Sequence, residues 1–396
     1  MNEEDTPVPA ASPAQPLRRR FGAWVAPVAL LAALGFILIM SRRSPPDPDL
    51  VPLARSTAHV IPLPPHLEEV PTGWHGPPQP YYLGPSASGF ARRVIWYNLG
   101  RFVHNQTDLY LPDSVAINLT RTYRSQDGRS RSFGVGATDS YEIYLGGDSF
   151  PFTYMVVVMP DDSLVHYHRI SPGTSYTNAV YRSDSRDKAY GGSTIRWTGH
   201  GWDLRMRDGT VMFFPPSYAA THSGQQAVLR IRDSAGRQLI ILRDRMGNKL
   251  QVTSPDGATV WFTNDAKGRI IRAEDNAGRT LRYAYDWRGR LAAVLDANRE
   301  LTRYTYDDHD NMLTITRPDG KVWARMTYDG HGRIASRTDI NGQTVRYSYT
   351  TDQYDDIVAT GVLYPDQRFE LFSWSRQGAM LSDLRGRVGL PLGAAR

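Results

Sequence analysis

The sequence predicts an all-β fold, and three observations carry that expectation. Tyrosine occurs 22 times against 12 phenylalanines, with 34 glycines and 27 prolines in 396 residues, a composition suited to short strands joined by tight turns. Turns of the form Asp-x-x-Gly-Arg, or near variants, begin at Asp265, Asp286, Asp307 and Asp329, a period close to 21 residues. Between them aromatic and polar residues alternate, the two-residue period of a half-buried strand.

In chain order, residues 1–20 form a tail ending in Arg18, Arg19 and Arg20. Residues 21–40, FGAWVAPVALLAALGFILIM, then run for 20 positions without a charge, the length a helix needs to cross a hydrocarbon core about 30 Å thick. Trp24 falls where an interfacial aromatic belongs, and Pro27 is tolerated in a membrane helix. A cleaved signal peptide is the alternative, but its apolar region spans about 7–15 residues and ends at a small-x-small site. Here the run is longer and leads into LIMSRRS. The expectation is an uncleaved single-pass anchor at residues 21–40 in a bacterial cell membrane. Three arginines before the span against Arg42 and Arg43 after it place the tail in the cytoplasm and the bulk of the chain outside it, on the periplasmic side.

Residues 41–90 read as a linker. From Ser44 to Pro80 there are eleven prolines, in SPPDPD, IPLPPH and HGPPQP among others. Such a stretch cannot donate a regular hydrogen-bond ladder and is extended and semi-rigid. A proline-rich ligand for a partner domain is the alternative to a spacer.

Residues 91–227 are expected to form a β-rich entry module and residues 228–396 a repeat sheet. Second turns, DNAG from Asp275, DANR from Asp296, RPDG from Arg317 and DING from Asp339, divide each repeat into turn, strand, turn, strand. The aspartate side chain bonds backbone two residues on, and glycine supplies the positive φ that closes the turn. The third copy, DDHDN, puts Asp310 in the place of that glycine, a substitution aspartate tolerates. Tyr285, Tyr306, Tyr328 and Tyr349 form one column, and Tyr283, Tyr304, Met326 and Tyr347 form the column two residues earlier. A spacing of two puts both on one face of their strands, while Arg282, Arg303, Arg325 and Arg346 fall on the other. A carbohydrate-stacking platform is one reading of the aromatic stripe; core packing is preferred. Looser copies at Arg232 to Phe262 and Tyr364 to Met380 flank the clear ones, as expected at the ends of an array stabilised by its neighbours.

At YAYDWRGRL and YTYDDHDNML the sequence resembles the YD repeat of Rhs proteins, toxin-complex shell subunits and teneurins. The segment from Thr107 to Leu145, with LTRTY and a glycine-rich turn after Ser-Phe-Gly, resembles the entry module that precedes those repeats, and DGTVMFF from Asp208 to Phe214 fits the family's next strand. The resemblance covers roughly residues 95–380 and implies an Rhs-like sheet, here open and a partial shell. In the large family members, dozens of repeats wrap a C-terminal toxin that is released at an aspartate-proline-glycine-type motif. This chain has about five to seven units and ends in LRGRVGLPLGAAR without that motif, so the toxin activity does not carry over.

Other chemistry was weighed residue by residue. With no cysteine, thiolate metal sites, disulfides and cysteine nucleophiles are excluded. The net charge of +6 is dispersed, and no nucleic-acid partner is expected. His166 and His168 share a strand face and could begin a metal site, but spacing identifies no third ligand. Asp161 and Asp162 follow a proline after an apolar strand and read as a hairpin turn. Gly191 to Ser193 lacks the strand-nucleophile-helix setting of a hydrolase elbow. Asp307, Asp308 and Asp310 could suggest a calcium loop, but Met312 and Pro318 stand where such a loop needs glycine and glutamate. The sequence therefore assigns no catalytic, cofactor or metal residue and predicts a non-enzymatic binding or display module at the cell envelope. Its partners would be the membrane through residues 21–40, a protein or carbohydrate ligand, and further copies through sheet edges. The alternative is a truncated or split component of an Rhs toxin system.

Overall fold

In the computed structural model, residues 99–388 are described, apart from 149–150, 161, 163, 186–188, 217–222 and 375–379. The expected span at residues 21–40, its tail and the proline-rich linker lie outside the described residues. Among the described residues no helix is long and apolar enough to cross a membrane. The helices present are single 3-10 turns, Tyr176–Asn178 and Ser223–Gln226, so the described chain is all-β.

A small three-stranded antiparallel sheet comes first: β1 (Val103–Leu111), β2 (Ile117–Arg124) and β5 (Ala137–Asp139), with β2 in the middle. A two-residue hairpin, β3 (Ser130–Arg131) with β4 (Gly134–Val135), lies within the connection from β2 to β5. Every residue of β2 is buried, so this strand is covered on both faces. Its cover is the inner face of a second, much longer sheet.

That sheet holds twenty-two described strands, β6 (Tyr144–Gly147) to β27 (Met380–Arg387), each paired antiparallel with its successor in chain order. It crosses positions 227 and 228 without a break, since Leu229 N donates to Phe213 O at 2.9 Å and Ile241 N to Leu229 O at 2.8 Å. The expectation of an open sheet is corrected at its start, where the sheet turns back on itself and closes. Tyr144 bridges Ala227, and Val228 N donates to Ile143 O at 2.9 Å. The physical reason is that β6 is only four residues long, and this contact satisfies backbone groups that a free edge would leave unpaired. Among the described residues no register joins β27 to β6, so the closure is made locally, at the start of the sheet.

The repeat units occupy β17 (Ile270–Asp275), β18 (Thr280–Tyr285), β19 (Leu291–Leu295), β20 (Leu301–Tyr306), β21 (Met312–Thr316), β22 (Val322–Tyr328), β23 (Ile334–Asp339) and β24 (Thr344–Thr351). In the turn before β19, Asp286 Oδ1 accepts the N–H groups of Arg288 and Arg290 at 3.0 and 2.9 Å, and Oδ2 accepts Arg290 Nε at 2.6 Å. Gly289, at φ +86°, donates its N–H to Asp286 O at 3.0 Å. The turns at Asp265 and Asp329 repeat this arrangement with Arg269 and Arg333. Asp310 takes φ +66° in the glycine-less copy, where Asn311 replaces the arginine.

The unit reaches back to its predecessor. The hydroxyls of Tyr285, Tyr306, Tyr328 and Tyr349 donate to the carbonyls of Ile270, Leu291, Met312 and Ile334 at 2.6 to 2.9 Å. The turn arginine of the preceding unit lies over the same ring, Arg269 over Tyr285 at 4.3 Å and Arg290 over Tyr306 at 5.0 Å. Rings in one column are thus joined through a backbone carbonyl and a guanidinium. Tyr283, Tyr285, Tyr304 and Met326 are buried, whereas Arg303, Arg325 and Arg346 are exposed on the outer face.

Replacing Tyr306 by phenylalanine removes one donor and leaves the Leu291 carbonyl unpaired. The expected loss is about 1–2 kcal/mol, read as a fall of roughly 2–6 °C in Tm by circular dichroism.

Candidate functional site

The functional geometry is concentrated where the three-stranded sheet meets the long one. Arg121, in the middle of LTRTY, is buried and grips Asp108 through Nε and Nη2 at 2.6 and 3.0 Å. The same guanidinium donates to the Tyr304 hydroxyl at 3.1 Å, and the Tyr283 hydroxyl donates to Asp108 at 3.0 Å. Two residues on, the Tyr123 hydroxyl donates to Asp310 O at 2.8 Å and accepts Met312 N–H at 2.9 Å. Alternate residues of one strand therefore clamp the tyrosine column and a repeat turn. Gly134, from the Ser-Phe-Gly turn, completes the seam. At φ +85° it lies so close to Gly289 that an added Cβ would sit 2.3 Å from the Gly289 carbonyl oxygen, and Val135 N donates to that oxygen at 3.1 Å.

Beside this seam lies a buried ionic centre. Asp139 in β5 pairs with Lys249 in β15 (Lys249–Thr253), and both side chains are almost fully buried. Ser132 Oγ and Tyr141 N each donate to the Asp139 carboxylate at 2.9 Å. Burial opposes ionisation of Asp139, but the Lys249 ammonium and these donors outweigh it and hold the carboxyl below its usual range. Glu142 is the opposite case. Burial and the neighbouring Asp139 charge push its pKa up, and while Oε1 accepts Ser132 N at 3.2 Å, Oε2 has no hydrogen-bond partner among the described residues. Arg243 approaches from β14 (Gln238–Arg243) and donates to Tyr141 O at 2.7 Å.

The residues weighed from sequence fall elsewhere. His166 and His168 stand on the exposed side of β8 (Leu164–Arg169), His168 with Asp184 at 3.0 Å. Among the described residues no group of three or more metal-ligating side chains is assembled. Asp162 sits in a turn, its N–H on Met159 O, and receives both Arg129 Nη2 contacts at 2.9 Å; Asp161 lies outside the described residues. Ser193 is buried, its hydroxyl shared between Tyr190 O and the Tyr167 hydroxyl. Asp307 folds its carboxylate onto its own turn through His309 N and Asn311 N, and Asp310 receives Arg288 and Arg290. The ionic centre was not legible from spacing, because Asp139 and Lys249 are 110 positions apart.

Two family descriptions match the sequence. The RHS Repeat family matches residues 265–299 and 288–322, and a domain of unknown function, DUF6531, matches residues 94–167. The chain carries Rhs repeats over residues 265–322. The first match coincides with the Asp-turn and tyrosine units, and the second with the small sheet and the strands that follow it. No curated protein matches the chain. Among solved structures, this Rhs-repeat protein is similar to a TcdB2-TccC3 crystal structure, with 12% identity, TM-score 0.31, and coverage of 68% of this chain and 14% of that one. A Photorhabdus luminescens Tc holotoxin pore gives 12% identity, TM-score 0.31 and coverage of 70% and 15%. A porin-like protein from Bacteroides uniformis gives 11%, 0.17, and coverage of 73% and 94%. The Rhs-repeat protein thus spans about 15% of the length of the Tc chains it resembles.

The long sheet also carries an apolar patch on its outer face. Leu242 in β14 is opposite Gln251 in β15, which is opposite Trp261 in β16 (Thr259–Asn264). Ile240, Leu242, Leu250, Trp261 and Ile271 are all exposed in this region.

The ionic centre gives a testable pH dependence. Glu142 has a raised pKa in the fold, so it favours the folded state while protonated, and this contribution is lost as pH rises from 4.5, its ordinary value, through the folded-state value. Glu142→Gln is expected to match the wild type below pH 4 (~4) and to be the more stable of the two at pH 7, a difference read from urea midpoints across that range.

Proposed function

We propose that this Rhs-repeat protein is a binding or display module at the bacterial cell envelope, with its repeat sheet held outside the cytoplasm by an anchor at residues 21–40 and a proline-rich spacer at 41–90. The supporting observation is the outer apolar patch around Leu242 and Trp261. Several large apolar side chains left in water on the outer face of a sheet whose inner face is already filled mark a surface for a partner. The uncharged 20-residue run and the eleven prolines after Ser44 supply the tether. The reading assigns the protein no catalytic activity, and the ligand would be a protein or carbohydrate of the envelope.

A second reading, a component of a split Rhs toxin system, is favoured by β27. It pairs with β26 (Arg368–Trp374) along seven positions, and among the described residues no register occupies its other side. A strand edge of that length accepts a further strand from another chain. An adjacent reading frame that continues the repeats supports this reading, and its absence removes it.

The deciding experiment is protease accessibility in intact cells and spheroplasts with a tag after Arg396. Digestion of the tag in spheroplasts with the N-terminus protected is the expected result. A tag that stays protected until the inner membrane is broken overturns the envelope reading.

A further inference from the structure

In each repeat unit the fourth residue of the first strand faces inward. Ala273, Val294 and Ile315 occupy this position in β17, β19 and β21, and all are buried. Val294 is opposite Tyr283 and Ile315 opposite Tyr304; by the same register, Arg337 in β23 is opposite Met326. A guanidinium therefore stands in a column that three preceding units fill with aliphatic side chains. It is half-buried, lies 5.3 Å from the centre of the Trp323 ring, and has no ion pair or hydrogen bond among the described residues. A break in the repeat rule compensated locally by a ring contact alone is where function is expected.

Arg337 lines a cavity of about 480 Å³ together with Asp339, Gln343, Tyr364, Asp366 and Arg368. Arg368 is already neutralised, with Nε on Asp366 Oδ2 at 2.5 Å, and it covers the Tyr364 ring at 5.0 Å. Asp339 uses Oδ1 for the N–H groups of Asn341 and Gln343, both at 2.9 Å. In the turns at Asp265, Asp286 and Asp329 the second carboxylate oxygen accepts an arginine Nε. The corresponding residue after Asp339 is Gln343, and no side-chain bond forms between them. The cavity thus offers one unpaired cation, one carboxylate oxygen and one amide.

We propose that this cavity is a binding site for a carboxylated sugar, its carboxylate held by Arg337 and its hydroxyls bonded to Asp339 and Gln343. A planar guanidinium suits bidentate capture of a single carboxylate. A phosphate dianion would meet the charge of Asp339 with only one free cation to oppose it, since Asp366 and Arg368 already pair. The volume lies in the range of sites for ligands larger than a free amino acid, so a di- or trisaccharide fills it. The proposal rests on the binding-module reading and names the ligand class.

Calorimetric titration of the detergent-solubilised full chain with trigalacturonate tests it. Saturable binding is expected, at least tenfold stronger than that of uncharged galactotriose or free glutamate. Arg337→Leu, which restores an aliphatic residue to the column, is expected to weaken it at least tenfold while Tm is kept or raised. Should that variant fail to fold, Arg337→Gln carries the same expectation. Absence of binding to the wild type, equal binding of either control, or full affinity in the variant overturns the proposal. The tag-accessibility result stands or falls independently of this titration, so the two failures are distinguishable.

Discussion

The repeat strands of the long sheet depend on one coupling: an aspartate that holds its own turn and, in most units, an arginine at once, with the tyrosine of the next unit locked onto it. Asp286 gathers two backbone N–H groups and the Arg290 side chain. Arg290 then lies over Tyr306, whose hydroxyl reaches back to the Leu291 carbonyl. Each unit thereby sets the ring position of its successor, and strand register propagates through contacts about 15 residues apart. An array of this kind is stabilised by nearest neighbours, and a buried hydroxyl with a fixed acceptor specifies register more sharply than apolar area alone.

The inner face created by that coupling is aromatic and carries hydroxyls, so what covers it must be both apolar and polar. β2 meets this requirement through alternation: Arg121 bonds the hydroxyl of Tyr304, and Tyr123 stacks edge-on against Tyr306 at 5.8 Å. The Asp139–Lys249 pair closes the same seam at its other side. A buried pair contributes little net stability relative to apolar packing, but loss of one member leaves an uncompensated charge, so it favours one docking arrangement over others.

Beside Trp323, whose ring lies 5.7 Å from that of His104 in β1, the inner face changes character. Arg337 replaces an aliphatic residue, and the cavity beside it is lined by charged and amide groups together with Val345, Tyr364 and Pro365. Farther along, Phe372, Trp374 and Val362 build a separate small apolar cluster. The end of the array therefore differs from its middle in chemistry as well as in cover.

The sequence by itself determined the strands, the turns and which face of each strand is apolar, because those follow from local spacing: glycine or Asp310 at positive φ, a carboxylate two and four residues from the amides it binds, and rings two positions apart. It also marked LTRTY and Ser-Phe-Gly as belonging to an entry module. Tertiary structure alone decided what those motifs touch. Arg121 and Tyr304 are 183 positions apart, the closure at Tyr144 and Ala227 is made by an isolated bridge, and the isolation of Arg337 depends on which strands surround it. No local pattern encodes contacts of that separation, since they arise from the folding of one sheet around another.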